Sequence, residues 1–469
     1  MTGDAAMTIG PRSRQALDLA MLYASKSGAV VVGVFILPLF QGLMGSAAFG
    51  VVAVILSLQA FLVAMDLGMS VIVGRDIATS DDVAASLAAW RNAETLLHTA
   101  YAVLLPLALT LSALGIPASM SKWQILGCLV MFWALTVQNV GLNALLARRR
   151  YVPAGLLQTA GVLLRALVTL LALRHVRADL DVFIGTQALC SIGQLLATRW
   201  LCRLEFPNTD ARRMRWTRGA EVRLLAVRGR PLMLFGLAGA AVMQLDKVII
   251  SSFVSSSALA PYFLASALCL TPISVLGAPI AQLFQPRLIR AIAAGDTPVA
   301  STLLQRFVLA IVCAVALPSS ILWAYRNEIV GAWIGDQRNA AQVAHYVSIL
   351  LPGIALGALG HVPYVILLAK QDFRFQARAS TAMSVITLIA TYAASARGSV
   401  EMVCWIYAAY HGLSTVVSWL RCIGLQPPQP HHYATAAALR AVAVLSLIAV
   451  LAAALSSLRA LAHIYLQGN

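Results

Sequence analysis

The sequence predicts an all-α, polytopic integral membrane protein: two six-helix lobes around a central cavity, with one extra helix at the C-terminus. Three observations carry that prediction. Hydrophobic residues make up 60% of the 469 residues and charged ones only 11%, against about a quarter charged in ordinary soluble domains. Two stretches, Ser27–Met65 and Val248–Pro286, contain no Asp, Glu, Lys, Arg or His. Each is about twice the ~20 residues that cross a hydrocarbon core. Finally, the longest polar segment, Cys202–Arg230, falls near the middle of the chain, with six apolar stretches before it and six after it ahead of the extra helix.

In a bilayer every backbone N–H and C=O must find a partner within the protein, so spans are helices or closed barrels. Long apolar runs without period-2 alternation exclude the barrel. Each uncharged run breaks near its middle, at Gly42-Leu-Met-Gly-Ser46 and at Ser255-Ser-Ser257, and reads as two helices joined by a tight turn. The predicted spans are 20–41, 47–69, 95–116, 123–146, 153–174, 182–202, 231–254, 258–285, 304–324, 341–369, 379–396, 402–421 and 436–458. They divide the chain into a first lobe (1–202), a cytoplasmic linker (203–230), a second lobe (231–424) and a C-terminal helix with its tail (425–469). The first apolar stretch is too long for a cleaved signal peptide, so the polar Met1–Leu19 reads as a retained tail.

Loop charge sets the orientation. With the N-terminus in the cytoplasm, 25 of the 34 Lys and Arg fall on inner segments and 7 on outer ones, leaving Arg165 and Lys247 inside the membrane. The positive-inside rule therefore predicts a cytoplasmic N-terminus. The net charge of +16 has the same origin; scattered over short loops, it forms no basic face for nucleic acid. The seven cysteines include no C-x-x-C spacing, so neither a disulfide framework nor a zinc site is indicated. An even number of spans per half orients both halves alike, as in a parallel repeat. Ser46-Ala-Ala-Phe-Gly50 and Ser256-Ser-Ala-Leu-Ala260, each opening a helix that leads to an arginine, are a faint echo of it.

An ionisable side chain at mid-bilayer costs about 2.5–3.5 kcal/mol on insertion scales and usually faces a cavity or a partner. Arg165, Asp246 and Lys247 are the deepest by position. Arg165 and Lys247 read as cavity cations for an anionic substrate, with Asp246 as a proton or sodium coupling site. The competing reading is a structural ion pair between Arg165 and Asp246. Neighbours on a helix point about 100° apart, so Asp246 and Lys247 are not expected to face each other. Lys26, one to two turns inside the first span, either lines the cavity or snorkels to the headgroups. Asp66 and Arg75 read as a cytoplasmic gate or latch, with Arg287 in the equivalent place of the second lobe. His361 and His411 are candidate proton carriers by their titration range or ordinary hydrogen-bonding residues.

Leu37-Pro-Leu-Phe-Gln-Gly-Leu-Met-Gly-Ser-Ala-Ala-Phe-Gly50, followed by Met65-Asp-Leu-Gly68 and Gly74-Arg-Asp-Ile-Ala78, resembles the first hairpin of Wzx-type polysaccharide flippases. These belong to the multidrug/oligosaccharidyl-lipid/polysaccharide (MOP) superfamily. Gln244-Leu-Asp-Lys-Val-Ile-Ile250 and Ser257-Ala-Leu-Ala-Pro-Tyr-Phe-Leu-Ala265 resemble its Asp-Lys and Tyr motif, with Ala260-Pro261 where a Gly usually precedes the Tyr. The thirteenth span lies outside a twelve-span core. The resemblance implies translocation of an undecaprenyl-pyrophosphate-linked oligosaccharide across the bacterial inner membrane. It also implies membrane lipid, a polysaccharide polymerase and export machinery as partners, no cofactor, and coupling to H+ or Na+. A cation-coupled drug antiporter of the same superfamily is the alternative, although it would want an acidic cavity. A membrane polymerase or ligase needs a long outer loop, and Ala324–Ala340 is too short to form one. No G-x-x-x-x-G-K-[ST] phosphate loop occurs.

Overall fold

A computed structural model describes residues 28, 31–66, 68–78, 82–113, 120–148, 150–206, 237–334, 336–370, 372–425 and 435–442. Their regular structure is helical throughout. Among the described residues nine helical stretches are long and apolar enough to cross a membrane, two of them (Val32–Ala64 and Arg338–Ala369) covering two helices each. In chain order we label the helices α1 (31–44), α2 (46–64), α3 (Met69–Ala78), α4 (Val83–Ala113), α5 (Lys122–Ala147), α6 (Tyr151–His175) and α7 (Leu180–Glu205). The second half continues with α8 (237–251), α9 (Ser256–Ala293), α10 (Thr297–Ala324), α11 (Arg326–Ile334), α12 (Gln337–Ala358), α13 (His361–Ala369), α14 (Phe373–Ala396), α15 (Val400–Gly424) and α16 (435–442). Each of the twelve core spans has a helix in its place. The predicted linker continues α7 as far as Glu205; its remainder from 207 on and most of the thirteenth span fall outside the described residues.

Both predicted breaks are present. Gly45 adopts φ 76° and ψ 161°, a backbone conformation open to glycine, and separates α1 from α2 within one apolar run. Ser255 is extended and its hydroxyl accepts from the Ala258 N–H, capping α9. Several elements differ from expectation; the tenth span, predicted as one helix over 341–369, is divided into α12 and α13. The fourth helix begins at Val83 rather than 95, because the Arg91–Glu94 segment is helical and not loop. The outer segment 324–340 carries the nine-residue helix α11.

Three π-helical turns, Val32–Ile36, Ile273–Gly277 and Val312–Ala316, each stand two residues before a proline: Pro38, Pro279 and Pro318. A proline has no N–H to give and its ring clashes with the carbonyl four residues back. Widening the preceding turn relieves that clash and leaves carbonyls without an intrahelical donor.

Buried apolar side chains form three clusters. One joins both lobes: Phe40, Phe49 and Phe183 pack with Leu259, Tyr262 and Val347. A second runs only through the first lobe, from Met69 to Phe206, and a third through the second lobe and α16, from Ala281 to Ala441. The shared cluster lies at the helix ends near Gly45, Ser255 and Asp336. The two private clusters lie at the ends near Arg148 and Arg290. The lobes therefore pack as one core at one end of the molecule and as two at the other.

The packed end is tied by specific contacts. A Cβ built on Gly50 of α2 would stand 1.9 Å from the Ser256 carbonyl oxygen of α9, so the two helices touch backbone to backbone. Beside them Phe49 meets Phe263 edge-on, with ring centroids 5.9 Å apart. Asn339 of α12 donates to the Ser46 hydroxyl at 3.1 Å. The Trp333 indole of α11 donates to the Val34 carbonyl, the one four residues before Pro38, which has no N–H to offer it. The proline of one lobe thus supplies the acceptor for a tryptophan of the other. Trp333→Phe keeps the ring and deletes the donor; we expect cysteine probes near Ser46 to label several-fold faster with a membrane-impermeant thiol reagent, the equivalent of ~1 kcal/mol of lost hydrogen bonding. Unchanged labelling would show that the bond does not hold the lobes.

Candidate functional site

Helix α8 brings the charged pair of the second lobe into an apolar bundle. Asp246 and Lys247 are 1% and 4% exposed, and Lys247 Nζ lies 2.9 Å from Asp246 Oδ2. The expectation that neighbouring residues would not meet is therefore corrected. Their Cβ atoms diverge, but helical side chains lean toward the N-terminus. The four-carbon lysine stem doubles back so that its ammonium also donates to the Met243 carbonyl at 3.1 Å. The Tyr262 phenol of α9 donates to the same Asp246 oxygen at 2.6 Å, and the ammonium lies 5.9 Å from the centre of that tyrosine ring.

Helix α15 closes the cluster. Tyr407 donates to the Val242 carbonyl at 2.5 Å. One turn further on, His411 lines the same cavity, together with Asp246, Lys247, Tyr262 and Ser266. That cavity is about 10 Å³, room for a single water. Asp246 Oδ1, buried beside it, has no hydrogen-bond partner among the described residues. Asp246, Lys247 and His411 are thus brought together. Tyr262 and Tyr407 join them unforeseen. Tyr262 was legible only as part of the family motif; Tyr407 carried one signal, its place four residues before His411 on one helical face.

Arg165 lies elsewhere. It is partly buried on α6 of the first lobe, where Nη1 donates to the Ser191 hydroxyl of α7 at 3.4 Å. No carboxylate lies within ion-pairing distance of it among the described residues. The alternative pairing of Arg165 with Asp246 is not formed, because Lys247 already neutralises Asp246 within its own helix. The surplus of deep positive charge over Asp246 therefore rests on Arg165 alone.

Of the gate residues, Asp66 is buried where α2 ends, accepting from the backbone N–H and hydroxyl of Ser70 and from the Asn139 amide at 3.3 Å. It caps the start of α3 and binds that turn to α5. Arg75 stands on α3; its side chain and the whole of Lys26 are outside the described residues. Arg287 is half-buried on α9 near the separated end. His361 opens α13 beside Gly277, apart from the cluster around His411.

One network escaped sequence reading. Arg199 of α7 donates from Nε and Nη2 to the two carboxylate oxygens of Glu94 on α4, each at 3.2 Å. Its Nη2 also lies 2.8 Å from His98 Nε2, and the Trp133 indole of α5 donates to His98 Nδ1 at 2.9 Å. The arrangement ties three helices of the first lobe. It was invisible because the predicted span began at 95 and left Glu94 in a loop. A larger cleft of about 250 Å³ lies among α13, α14 and α15, lined by Tyr364, Phe375, Gln376, Tyr410 and Ser414. None of the predicted residues borders it.

Residues 42–342, more than half of the chain, match the family model described as polysaccharide biosynthesis protein. The chain belongs to that family. No curated protein matches it in sequence. By structure it is similar to an inward-facing multidrug resistance MATE family transporter of the MOP superfamily, with TM-score 0.67 and 12% identity over 90% of this chain and 98% of that one. It is similar to the lipid II flippase MurJ in an inward closed conformation, with TM-score 0.66 and 10% identity over 91% and 98%. A MOP superfamily transporter from Pyrococcus furiosus, described as having a binding pocket of reverse polarity, superposes with TM-score 0.55 and 12% identity over 93% and 97%. At these identities the likeness establishes the fold. The chain is a multi-pass, all-α membrane protein whose fold is like that of these MOP superfamily structures.

Proposed function

We propose that this member of the polysaccharide biosynthesis family is a flippase that carries an undecaprenyl-pyrophosphate-linked oligosaccharide repeat unit across the bacterial inner membrane by alternating access. The observation that carries the proposal is the asymmetric join between the lobes. They form one core at the end bearing Ser46 and Ser256 and two cores at the end bearing Arg148 and Arg290. The positive-inside rule assigns the arginine-rich end to the cytoplasm. On that assignment the end where the lobes keep separate cores faces the leaflet where lipid-linked sugars are assembled, and the joined end faces the periplasm, with the N-terminus cytoplasmic. The products then pass to a polysaccharide polymerase and export machinery.

Arg165 supports an anionic cargo. It is a deep guanidinium with no carboxylate in ion-pairing distance among the described residues, and guanidinium is suited to binding a pyrophosphate through two hydrogen bonds. A drug-cation antiporter fits less well, since the buried acid of the second lobe, Asp246, is already neutralised by Lys247. Transport rather than catalysis also accords with the short outer segments.

Deleting the gene is expected to abolish one exported or surface polysaccharide and to leave lipid-linked repeat units on the cytoplasmic leaflet. Normal export together with greater sensitivity to cationic dyes would instead establish the antiporter. Orientation is checked separately. Reporter fusions after Gly42, Asp179, Ser255 and Asp336 should report periplasm, and those after Asp81, Arg150 and Ala294 cytoplasm. A cytoplasmic signal at Ser255 would invert the second lobe and refute the parallel arrangement.

A further inference from the structure

The surroundings of the Lys247 ammonium resemble those a bare cation takes. It contacts a carboxylate oxygen of Asp246 at 2.9 Å and the main-chain carbonyl oxygen of Met243 at 3.1 Å, and it lies 5.9 Å from the centre of the Tyr262 ring. Oxygen ligands, one of them anionic, are what small hard cations select, and an aromatic ring adds attraction for any cation nearby. Asp246 Oδ1 still has an open side, with no hydrogen-bond partner and a cavity of about 10 Å³ next to it. A carboxylate this deeply buried must be paired or protonated.

We propose that the Lys247 ammonium occupies a monovalent-cation site built from Asp246 and the Met243 carbonyl, so that the second lobe carries its cation covalently tethered. The cluster then stays neutral whatever the sodium concentration on either side. The lobe has no call for a dissolved ion at Asp246, the position that sequence reading assigned to coupling. Removing the lysine side chain vacates the place for Na+ or K+. The consequence for the driving force rests on the transporter reading; the site itself does not, and its test needs no cargo.

Thermal unfolding of the purified full-length protein is followed in NaCl, KCl and choline chloride at equal ionic strength. Wild type should melt at one temperature in all three. Lys247→Ala should melt lower in choline chloride and recover by roughly 5 °C, saturably, in NaCl or KCl. Asp246→Asn combined with Lys247→Ala, lacking both charges, should show no dependence on the cation. A folded Lys247→Ala indifferent to Na+ and K+ would overturn the proposal. So would a Lys247→Ala that folds in no salt while the double variant folds, because a free cation had every opportunity to replace the ammonium. Wild type supplies an independent check: Na+-specific stabilisation of the unaltered protein refutes a permanently filled site. Loss of the flippase reading would leave these melting curves unchanged, so the two failures are distinguishable.

Discussion

Arg165→Gln is expected to cut flipping of the lipid-linked oligosaccharide on the order of a hundredfold, with the protein still present at normal abundance. The side chain keeps its polarity and much of its length while losing its charge. At ~4 Å and an effective dielectric of 20, one charge pair is worth on the order of 4 kcal/mol. A hundredfold loss therefore requires only part of one phosphate contact. Arg165→Lys separates charge from shape: activity near wild type would mean that charge suffices, and a loss close to that of Gln would mean that the planar, two-pronged guanidinium is needed. Because Asp246 pairs with Lys247 and not with Arg165, adding Asp246→Asn should not rescue Arg165→Gln. Rescue of transport by that second change would sink the cargo-binding role of Arg165.

The second large effect is expected at Gly50. Any side chain there puts a Cβ 1.9 Å from the Ser256 carbonyl oxygen, and both partners are backbone, so no rotamer change can relieve the overlap. Overpacking a tight contact costs about 1–3 kcal/mol even when neighbours can shift. Here the cheapest shift is separation of the two lobes. Gly50→Val should accordingly hold the Ser46–Ser256 end open. Impermeant reagents should then label cysteines placed near Ser46 or Ser257 rapidly, and flipping should fall to background while membrane insertion is normal. Gly193→Ala, on an exposed face of α7 with open space around its Cβ, serves as the control and should transport like wild type. If Gly50→Val transports normally, the sealed end is not a gate.

The membrane class, the twelve core spans and the family were legible in the sequence because each depends on local or additive properties. Apolar run length measures the hydrocarbon core directly. Gly45 and Ser255 break their runs through backbone freedom and capping that act within a few residues. Even the echo between Ser46–Gly50 and Ser256–Ala260 was visible. Its meaning was not, since only the fold shows Gly50 packing on Ser256 to seal one end.

Pairings were decided by tertiary structure. Helical geometry at Cβ says that Asp246 and Lys247 diverge, yet the long lysine stem reaches back to its neighbour and to Met243. Depth alone also suggested a bond from Asp246 to Arg165, but Lys247 takes that place. Glu94 and Arg199, 105 positions apart, meet only because α4 and α7 are neighbours in space. Trp333 finds the Val34 carbonyl 299 positions away, where Pro38 has no N–H to offer it. A sequence states which groups are costly to leave alone in a membrane. Which partner relieves each of them depends on reach and on the packing of helices distant in the chain, and only the folded molecule determines that.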